Sequence, residues 1–146
     1  MTSAAATRAQ VVAEARSHLG TPWVHQGRAS GVQLDCAGLI VVVARALGIV
    51  GPAFDVNGYV PAPDGTMLDW CEAYMQRVAE IELGAVLALA TKNEPQHLGI
   101  VGNYLHGSWS LIHACNFAHP PRVIETRLLF AKNLRLRGIY RMPGVI

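Results

Sequence analysis

A cysteine at the start of an apolar segment is the residue of this chain best placed to do chemistry. Residues 34–38 read Leu-Asp-Cys-Ala-Gly and lead directly into the apolar run 39–44, which predicts a buried helix with Cys36 on its first turn. The unpaired backbone N–H groups and the positive dipole end of a helix favour a thiolate there. Cys36 is therefore a candidate nucleophile. Most free cysteines are instead small core residues, so the choice depends on finding a base.

Two histidines are candidates for that base and its partner. His97 and His113 lie in short segments of strand-like alternation, separated by the turn-rich residues 103–108. An antiparallel hairpin centred near residue 105 would place His97 directly opposite His113, with Cβ atoms roughly 4.5 to 5.5 Å apart. One imidazole could then hold the other in a fixed tautomer. A cysteine, a histidine and an orienting polar group together form a papain-like arrangement.

Five short motifs extend over nearly the whole chain. They are residues 20–27 (GTPWVHQG), 35–39 (DCAGL), 97–100 (HLGI), 112–114 (IHA) and 138–145 (GIYRMPGV). Together they closely resemble the NlpC family of cell-wall peptidases, small papain-like cysteine enzymes that cut the peptide stems of bacterial peptidoglycan. The His25-Gln26 pair and the terminal segment 140–145 resemble most the subgroup encoded by tailed phages, prophages and gene transfer agents.

This resemblance implies a papain-like α+β fold in which the nucleophile helix, one of the N-terminal helices, packs on an antiparallel β-sheet. By position it makes Cys36 the nucleophile, His97 the base and His113 the polar residue that orients the base. The implied enzyme is a cysteine peptidase that cleaves the bond between a D-γ-glutamyl residue and a diamino acid such as diaminopimelate. We expect no cofactor and no metal.

Three residues near the nucleophile are predicted to contact substrate. Trp23 stands where many NlpC relatives carry a tyrosine whose hydroxyl is thought to help hold substrate, and its indole has only an N–H donor. His25 belongs to the same loop and is predicted to line the cleft, with a bond to a loop carbonyl as the alternative. Asp35 can cap backbone N–H groups at the helix start, or it can contact a substrate amine.

Hydrophobic periodicity and chain breakers predict the order of the elements. Helices are expected at about residues 7–19, 36–47, 66–78 and 126–133, and strands at about 85–91, 97–102, 109–115, 122–125 and 136–142. Residues 20–33 are predicted to form a loop around the nucleophile, and residues 51–65 an irregular crossing. Helices first and an antiparallel sheet afterwards give an α+β fold.

Composition agrees with a compact enzyme. With 146 residues, 51% hydrophobic and 15% charged, residues 1–146 are expected to form a single domain with enough apolar material for a core. Residues 122–146 carry six Lys and Arg residues against Glu125 alone. Such a basic segment could attract an anionic polymer, but these charges are spaced rather than massed, which favours a solvated surface. We expect no nucleic-acid partner.

The three cysteines form no even disulfide framework, so reduced thiols are expected. Cys71 is predicted to be a core residue. An alternative to thiol catalysis is a zinc site built from Cys36, His97, His113 and Cys115. That alternative is the weaker one, because zinc sites seldom place a ligand directly ahead of a hydrophobic helix.

The route to the cell wall is a separate question. We see no export signal near the N-terminus, and the longest dense apolar run, residues 39–44, is far too short to span a membrane. The expectation is a protein made in the cytoplasm without membrane insertion, which reaches the wall on a phage-like tail or by lysis. Its expected partners are peptidoglycan stem peptides and tail proteins.

Two other functions use the same residues differently. One is a structural or binding module of a phage-like tail with little turnover, which the presence of Cys36, His97 and His113 together disfavours. The other is an amidase or acyltransferase that acts on another amide or on a lipid.

Overall fold

The computed structural model describes residues 6–57, 59, 65–91, 96–129 and 134–146 of the chain. Its α-helices are α1 (Arg8–Arg16), α2 (Cys36–Ala46) and α3 (Thr66–Tyr74). Its strands are β1 (Arg28–Ala29), β2 (Gln33–Leu34), β3 (Gln76–Arg77), β4 (Val86–Thr91), β5 (His97–Asn103), β6 (Trp109–Cys115), β7 (Arg122–Arg127) and β8 (Leu134–Arg141).

Six of these strands form one sheet in the order β3-β8-β4-β5-β6-β7, and β1 pairs with β2 in a separate ribbon. Every strand pair is antiparallel. Helices α1 and α2 pack on the large sheet. The predicted α+β class, with the nucleophile helix on an antiparallel sheet, is confirmed.

The large sheet buries apolar side chains on both faces. Leu98 and Ile100 of β5 join α2 residues such as Val43 in the larger core cluster, whereas Val101 belongs to a second cluster on the opposite face. This division follows from the two-residue period of a strand. By the same alternation, the side chain of His97 lies on the face of Val101, opposite the face on which Leu98 packs towards α2.

The helix ends differ in part from the sequence prediction. Asp35 caps α2 as expected. Helix α3 begins at Thr66 as predicted, after an N-cap at Gly65, and it ends at Tyr74 rather than near residue 78 because the next residues pair with β8 as β3. Within the described ranges the longest helix, α2, has 11 residues, and no helix there combines the length and apolar character needed to cross a bilayer.

The helix predicted at residues 126–133 is wrong in its described part. Thr126 and Arg127 complete β7 opposite Leu111 and Ser110 of β6, and residues 128 and 129 lie in no helix. Residues 130–133 lie outside the described ranges. Cross-strand pairing extends β7 beyond its predicted end because each further residue gains partners on β6, which outweighs a weak local helical preference.

Gly38, two residues after Cys36, is required by a close approach of two backbone segments. A Cβ at Gly38 would lie 2.0 Å from the carbonyl oxygen of Gly27, which crosses the first turn of α2. Backbone atoms cannot rotate away as a side chain can. The glycine of the Asp-Cys-Ala-Gly motif therefore lets the preceding loop pack directly against the start of α2.

We expect Gly38→Ala to lower the free energy of unfolding by about 2 kcal/mol or more, because steric overlap exceeds the roughly 1 kcal/mol gain in helix propensity. The control is Gly51→Ala, since nothing lies within 4 Å of the added Cβ, and it should change stability by less than about 0.5 kcal/mol. Urea unfolding followed by tryptophan fluorescence measures both. Equal stability of the two variants would show that the loop does not fix the helix start.

Candidate active site

The structure places Cys36 as the first residue of α2, as the sequence predicts. Asp35 at the N-cap has extended backbone and accepts a hydrogen bond from the Gly38 N–H at 2.7 Å. Cys36 is only 6% exposed, and its Sγ lies 3.7 Å from Sδ of Met67 on α3. The candidate nucleophile thus sits at a capped helix N-terminus, beneath a methionine side chain.

Four donors converge on the buried carboxylate of Asp35. Oδ1 accepts from Gly38 N at 2.7 Å and from Arg28 Nη1 at 3.0 Å. Oδ2 accepts from Gln26 N at 2.7 Å and from the Tyr59 hydroxyl. Asp35 is 2% exposed. The capping role is therefore present, and its contact with a substrate amine, which would compete with these donors, remains a prediction.

Sequence reasoning missed Arg28 and Tyr59, the other members of this network. Arg28 also donates to Asp55 Oδ1 at 2.8 Å and to the Tyr59 hydroxyl at 3.0 Å. Burial, together with the hydrogen bond to Asp35, raises the pKa of Tyr59 above its ordinary value, so the hydroxyl stays protonated and donates. A single Arg in a Gly-rich loop and a Tyr in an irregular segment carry no periodic signal, so only the fold could bring them together.

The two other predicted substrate residues lie close to the helix start. His25 Nδ1 is 4.0 Å from Asp35 Oδ2, and its ring packs edge-on against Tyr59 with centroids 5.3 Å apart. Trp23 is partly buried against the larger core and forms an isolated bridge with Leu34. Both residues therefore flank α2 near Cys36. Their contact with substrate remains a prediction.

His97 and His113 are hydrogen-bonded to each other. His97 Nε2 lies 2.7 Å from His113 Nδ1, and the rings meet edge-on with centroids 4.9 Å apart. His113 Nε2 lies 3.1 Å from Oγ1 of Thr126, which belongs to β7 and not to the predicted helix. Both histidines are buried, at 4% and 9% exposure. His97, His113 and Thr126 therefore form a hydrogen-bonded chain across β5, β6 and β7.

The predicted register of this hairpin is wrong by two residues. Ile100 pairs with Ile112 and Val101 with Leu111, so the strands are joined around a turn centred near residue 106 rather than 105. A 3₁₀ turn over Leu105–Gly107 accounts for the difference in length. Because the shift is two residues, no side chain changes face. His97 and His113 are therefore diagonal rather than directly opposed neighbours, still within hydrogen-bonding reach.

Gly99 gives His113 its room in the corrected register. A Cβ at Gly99 would lie 3.3 Å from the His113 Cβ and 2.5 Å from Leu111 Cδ1. Any larger residue would push β6 side chains away from β5. The glycine therefore permits the short distance between the two imidazoles.

The buried position of His113 determines its charge. Burial, reinforced by the neighbouring charge of His97, lowers the pKa of His113 to about 3. His113 is accordingly neutral near pH 7, with one ring nitrogen that donates and one that accepts. Such a neutral ring can fix the orientation of His97 without competing with it for a proton.

Met67 links the thiol to the cavity that contains His97. This open cavity, of about 400 Å³ including its mouth, is lined by Gly65, Met67, Leu68, Ala88, Leu89, Gln96, His97, Leu98 and Arg137. Met67 also contacts Cys36 Sγ. The cavity lies where α3 begins and where β5 has its first residue. Met67 thus contacts the thiol of Cys36 and lines the same cavity as His97.

The other cysteines are not equivalent to Cys36. Cys71 is buried in the larger core, as predicted, and burial first, then the nearby charge of Glu72, raises the pKa of its thiol to about 12. Cys115 ends β6 opposite Arg122. Among the described residues no three or more His, Cys, Asp or Glu side chains are grouped closely enough to hold a metal ion, so the zinc alternative finds no ligand set there.

We expect Asp35→Ala to lower the free energy of unfolding by about 3 kcal/mol, because it removes the cap of α2 and leaves Arg28 with one carboxylate fewer in a buried position. Asp69→Ala is the control, since Asp69 is an exposed carboxylate on the first turn of α3. Urea unfolding measures both variants. If Asp35→Ala costs no more than the control, the four observed hydrogen bonds do not hold the helix start.

The depressed pKa of His113 predicts a dependence of stability on pH. An unfolded histidine titrates near 6.5 and the folded one at about 3, so only the unfolded chain gains this proton between those values. The contribution is complete above about pH 6.5 and is lost progressively as the pH falls. Between pH 7 and 4.5 the wild type should lose about 2 to 3 kcal/mol more unfolding free energy than His113→Asn, whose amide does not titrate. Urea unfolding at each pH measures both proteins. An equal loss of unfolding free energy in the wild type and in His113→Asn would contradict a buried neutral His113.

Comparison with known proteins identifies the fold of the chain. No protein-family model matches the chain, and no curated protein matches it either. Among solved structures, it is similar to the crystal structure of the NlpC/p60 domain of peptidoglycan hydrolase SagA, with a TM-score of 0.58 and 21% sequence identity. The similarity covers 92% of this chain and 98% of that domain. The protein therefore has the α+β fold of the NlpC/p60 papain-like domains.

Proposed function

We propose that this protein is a cysteine peptidase that hydrolyses the stem peptides of bacterial peptidoglycan. The observation that carries the proposal is the hydrogen-bonded His97–His113 pair beside the cavity whose Met67 covers the Cys36 thiol. A hydrolase of peptidoglycan, SagA, contains a domain of the same fold. In this proposal Cys36 is the nucleophile, His97 the base and His113 the residue that orients His97.

The tautomers follow from the hydrogen-bond chain. If neutral His113 donates from Nε2 to the Thr126 hydroxyl, its Nδ1 accepts from the Nε2–H of His97. Nδ1 is then the basic nitrogen of His97. Such an arrangement assigns a different task to each ring, because His113 stays neutral while His97 exchanges a proton with the nucleophile.

The reaction proceeds by acyl transfer. His97 Nδ1 takes the Cys36 thiol proton, and the thiolate forms a bond to the scissile carbonyl carbon. The Cys36 N–H at the start of α2 helps to stabilise the resulting oxyanion. As the tetrahedral intermediate collapses, the C–N bond breaks and the imidazolium protonates the leaving amine. Water, deprotonated by His97, then hydrolyses the thioester and restores the thiol.

Strand parity constrains how the two catalytic groups meet. Leu98 and Ile100 pack towards α2, so His97 lies on the other face of β5. We infer that His97 reaches Cys36 around the end of the sheet, at the first residue of β5. Met67 occupies that place, and its unbranched, adaptable side chain can yield to a substrate more easily than a branched one.

The finer identity of the substrate and the delivery route rest on sequence motifs. We propose cleavage between D-γ-glutamyl and a diamino acid, from the resemblance of the Cys36, His97 and His113 motifs to the NlpC peptidases. The His25-Gln26 pair and residues 140–145 support an association with a phage-like tail. Such an association would bring the enzyme to the cell wall.

Digestion of purified peptidoglycan, with products identified by mass spectrometry, tests the activity. The wild type should release fragments cut within the stem peptide, and Cys36→Ala should release none because the nucleophile is missing. Cys71→Ala is the matched control, since it also removes a buried thiol and should retain cleavage. Intact activity in Cys36→Ala would rule out this nucleophile. An inactive but folded wild type would favour a structural module.

Thiol alkylation tests the proposed Cys36–His97 pair without any substrate. Cys36 should react with iodoacetamide faster than Cys71 and Cys115, and in His97→Ala that reaction should slow because the proposed proton acceptor is missing. Peptide mapping identifies the labelled residue. Cys71 should label slowly because burial raises the pKa of its thiol to about 12. A Cys36 labelling rate unchanged by His97→Ala would contradict the pair.

A further inference from the structure

Arg137 on β8 lines the His97 cavity and carries a positive charge. Of the nine lining residues in the part of the chain that the structure describes, six are apolar or glycine, and the others are Gln96, His97 and Arg137. Arg137 is solvent-exposed. A guanidinium at the edge of a largely apolar cleft therefore faces whatever enters beside the proposed base.

This guanidinium differs from most arginines of the protein. Arg16 and Arg141 each hold a carboxylate through two hydrogen bonds, and Arg28 bridges Asp35 and Asp55. Arg137 makes no side-chain hydrogen bond or ion pair within the described ranges. Its donors are available to a ligand, and a guanidinium matches the planar geometry of a carboxylate.

Helix α3 adds to the positive character of the same cleft. Gly65, Met67 and Leu68, from the cap and first turn of α3, line the cavity together with Arg137. The N-terminus of a helix carries a partial positive charge. Asp69 lies in the same turn, is exposed and does not line the cavity. The helix end and the guanidinium therefore both favour an anionic ligand group at this place.

We propose that Arg137 binds a carboxylate of the substrate, so that the site selects peptides with a free carboxylate next to the scissile bond. This inference rests on the proposed function. A γ-linked glutamyl residue leaves its α-carboxylate free on the acyl side of that bond. A diamino acid such as diaminopimelate carries a side-chain carboxylate on the leaving side. Each of these two carboxylates could bind the guanidinium of Arg137. Peptides that lack one or the other distinguish them.

Three peptides, each with the α-carboxylate of its last residue converted to an amide, supply the test. The first is L-Ala-γ-D-Glu-diaminopimelate, the second has the glutamyl α-carboxylate as a carboxamide, and the third has L-Lys in place of diaminopimelate. We expect Arg137→Gln to lower kcat/KM by about 10- to 100-fold on the first peptide, the size of a lost charge-assisted hydrogen bond. On the peptide that lacks the recognised carboxylate, the variant and the wild type should be equal. The peptide on which the two enzymes are equal therefore lacks the carboxylate that Arg137 binds.

Arg135→Gln is the matched control, because Arg135 is an exposed arginine two residues away on β8 and does not line the cavity. It should cleave all three peptides at the wild-type rate. A loss by Arg137→Gln that is the same on all three peptides, or no larger than that of Arg135→Gln, would overturn the carboxylate assignment and leave the proposed function standing.

Binding to the Cys36→Ala variant, measured by calorimetry, separates the two proposals further. Adding Arg137→Gln should weaken binding of the first peptide by about 10- to 100-fold and leave binding of the carboxylate-deficient peptide unchanged. Equal binding with and without Arg137 would overturn the inference even if turnover is slow. Failure of all three peptides to bind or to be cleaved would overturn both proposals.

Discussion

The structure depends most on one buried carboxylate, that of Asp35. It receives the N–H of Gly38 in the first turn of α2, the N–H of Gln26 in the preceding loop, and the side chains of Arg28 and Tyr59. A buried charge is costly unless it is fully hydrogen-bonded, and here the donors come from three segments of the chain: residues 26–28, the first turn of α2, and Tyr59. Cys36, the proposed nucleophile one residue later, has a defined position because these segments share one acceptor.

The hydrogen-bonded pair of His97 and His113 on the sheet also depends on burial. His113 remains neutral because it is enclosed, and Thr126 and His97 occupy its two ring nitrogens. Gly99 supplies the space for this contact. Rigid elements thus position both halves of the site, since α2 carries the thiol and adjacent strands carry the imidazoles. Met67, an adaptable side chain on α3, lies between these halves.

The charges of the site are distributed according to their roles. Arg28 is partly buried among Asp35, Asp55 and Tyr59, and its donors are already hydrogen-bonded to these groups. Arg137 is exposed at the cleft and has no such partner among the residues that the structure describes. The same residue type therefore acts as a structural element in one place and as a proposed recognition element in the other. The two arginines differ in their burial and in the number of acceptors near the guanidinium.

The amino-acid sequence alone determined the features that depend on local periodicity and capping. Asp35 and Cys36 begin a helix because a capping residue precedes an apolar run, and His97 and His113 share a face because strand side chains alternate with a period of two. Tertiary structure decided what depends on contacts between distant segments. It set the hairpin register through the turn at Leu105–Gly107, extended β7 to include Thr126, and brought Arg28 and Tyr59 to Asp35. These outcomes arise from packing and buried hydrogen bonds between residues far apart in the chain, which no local pattern encodes.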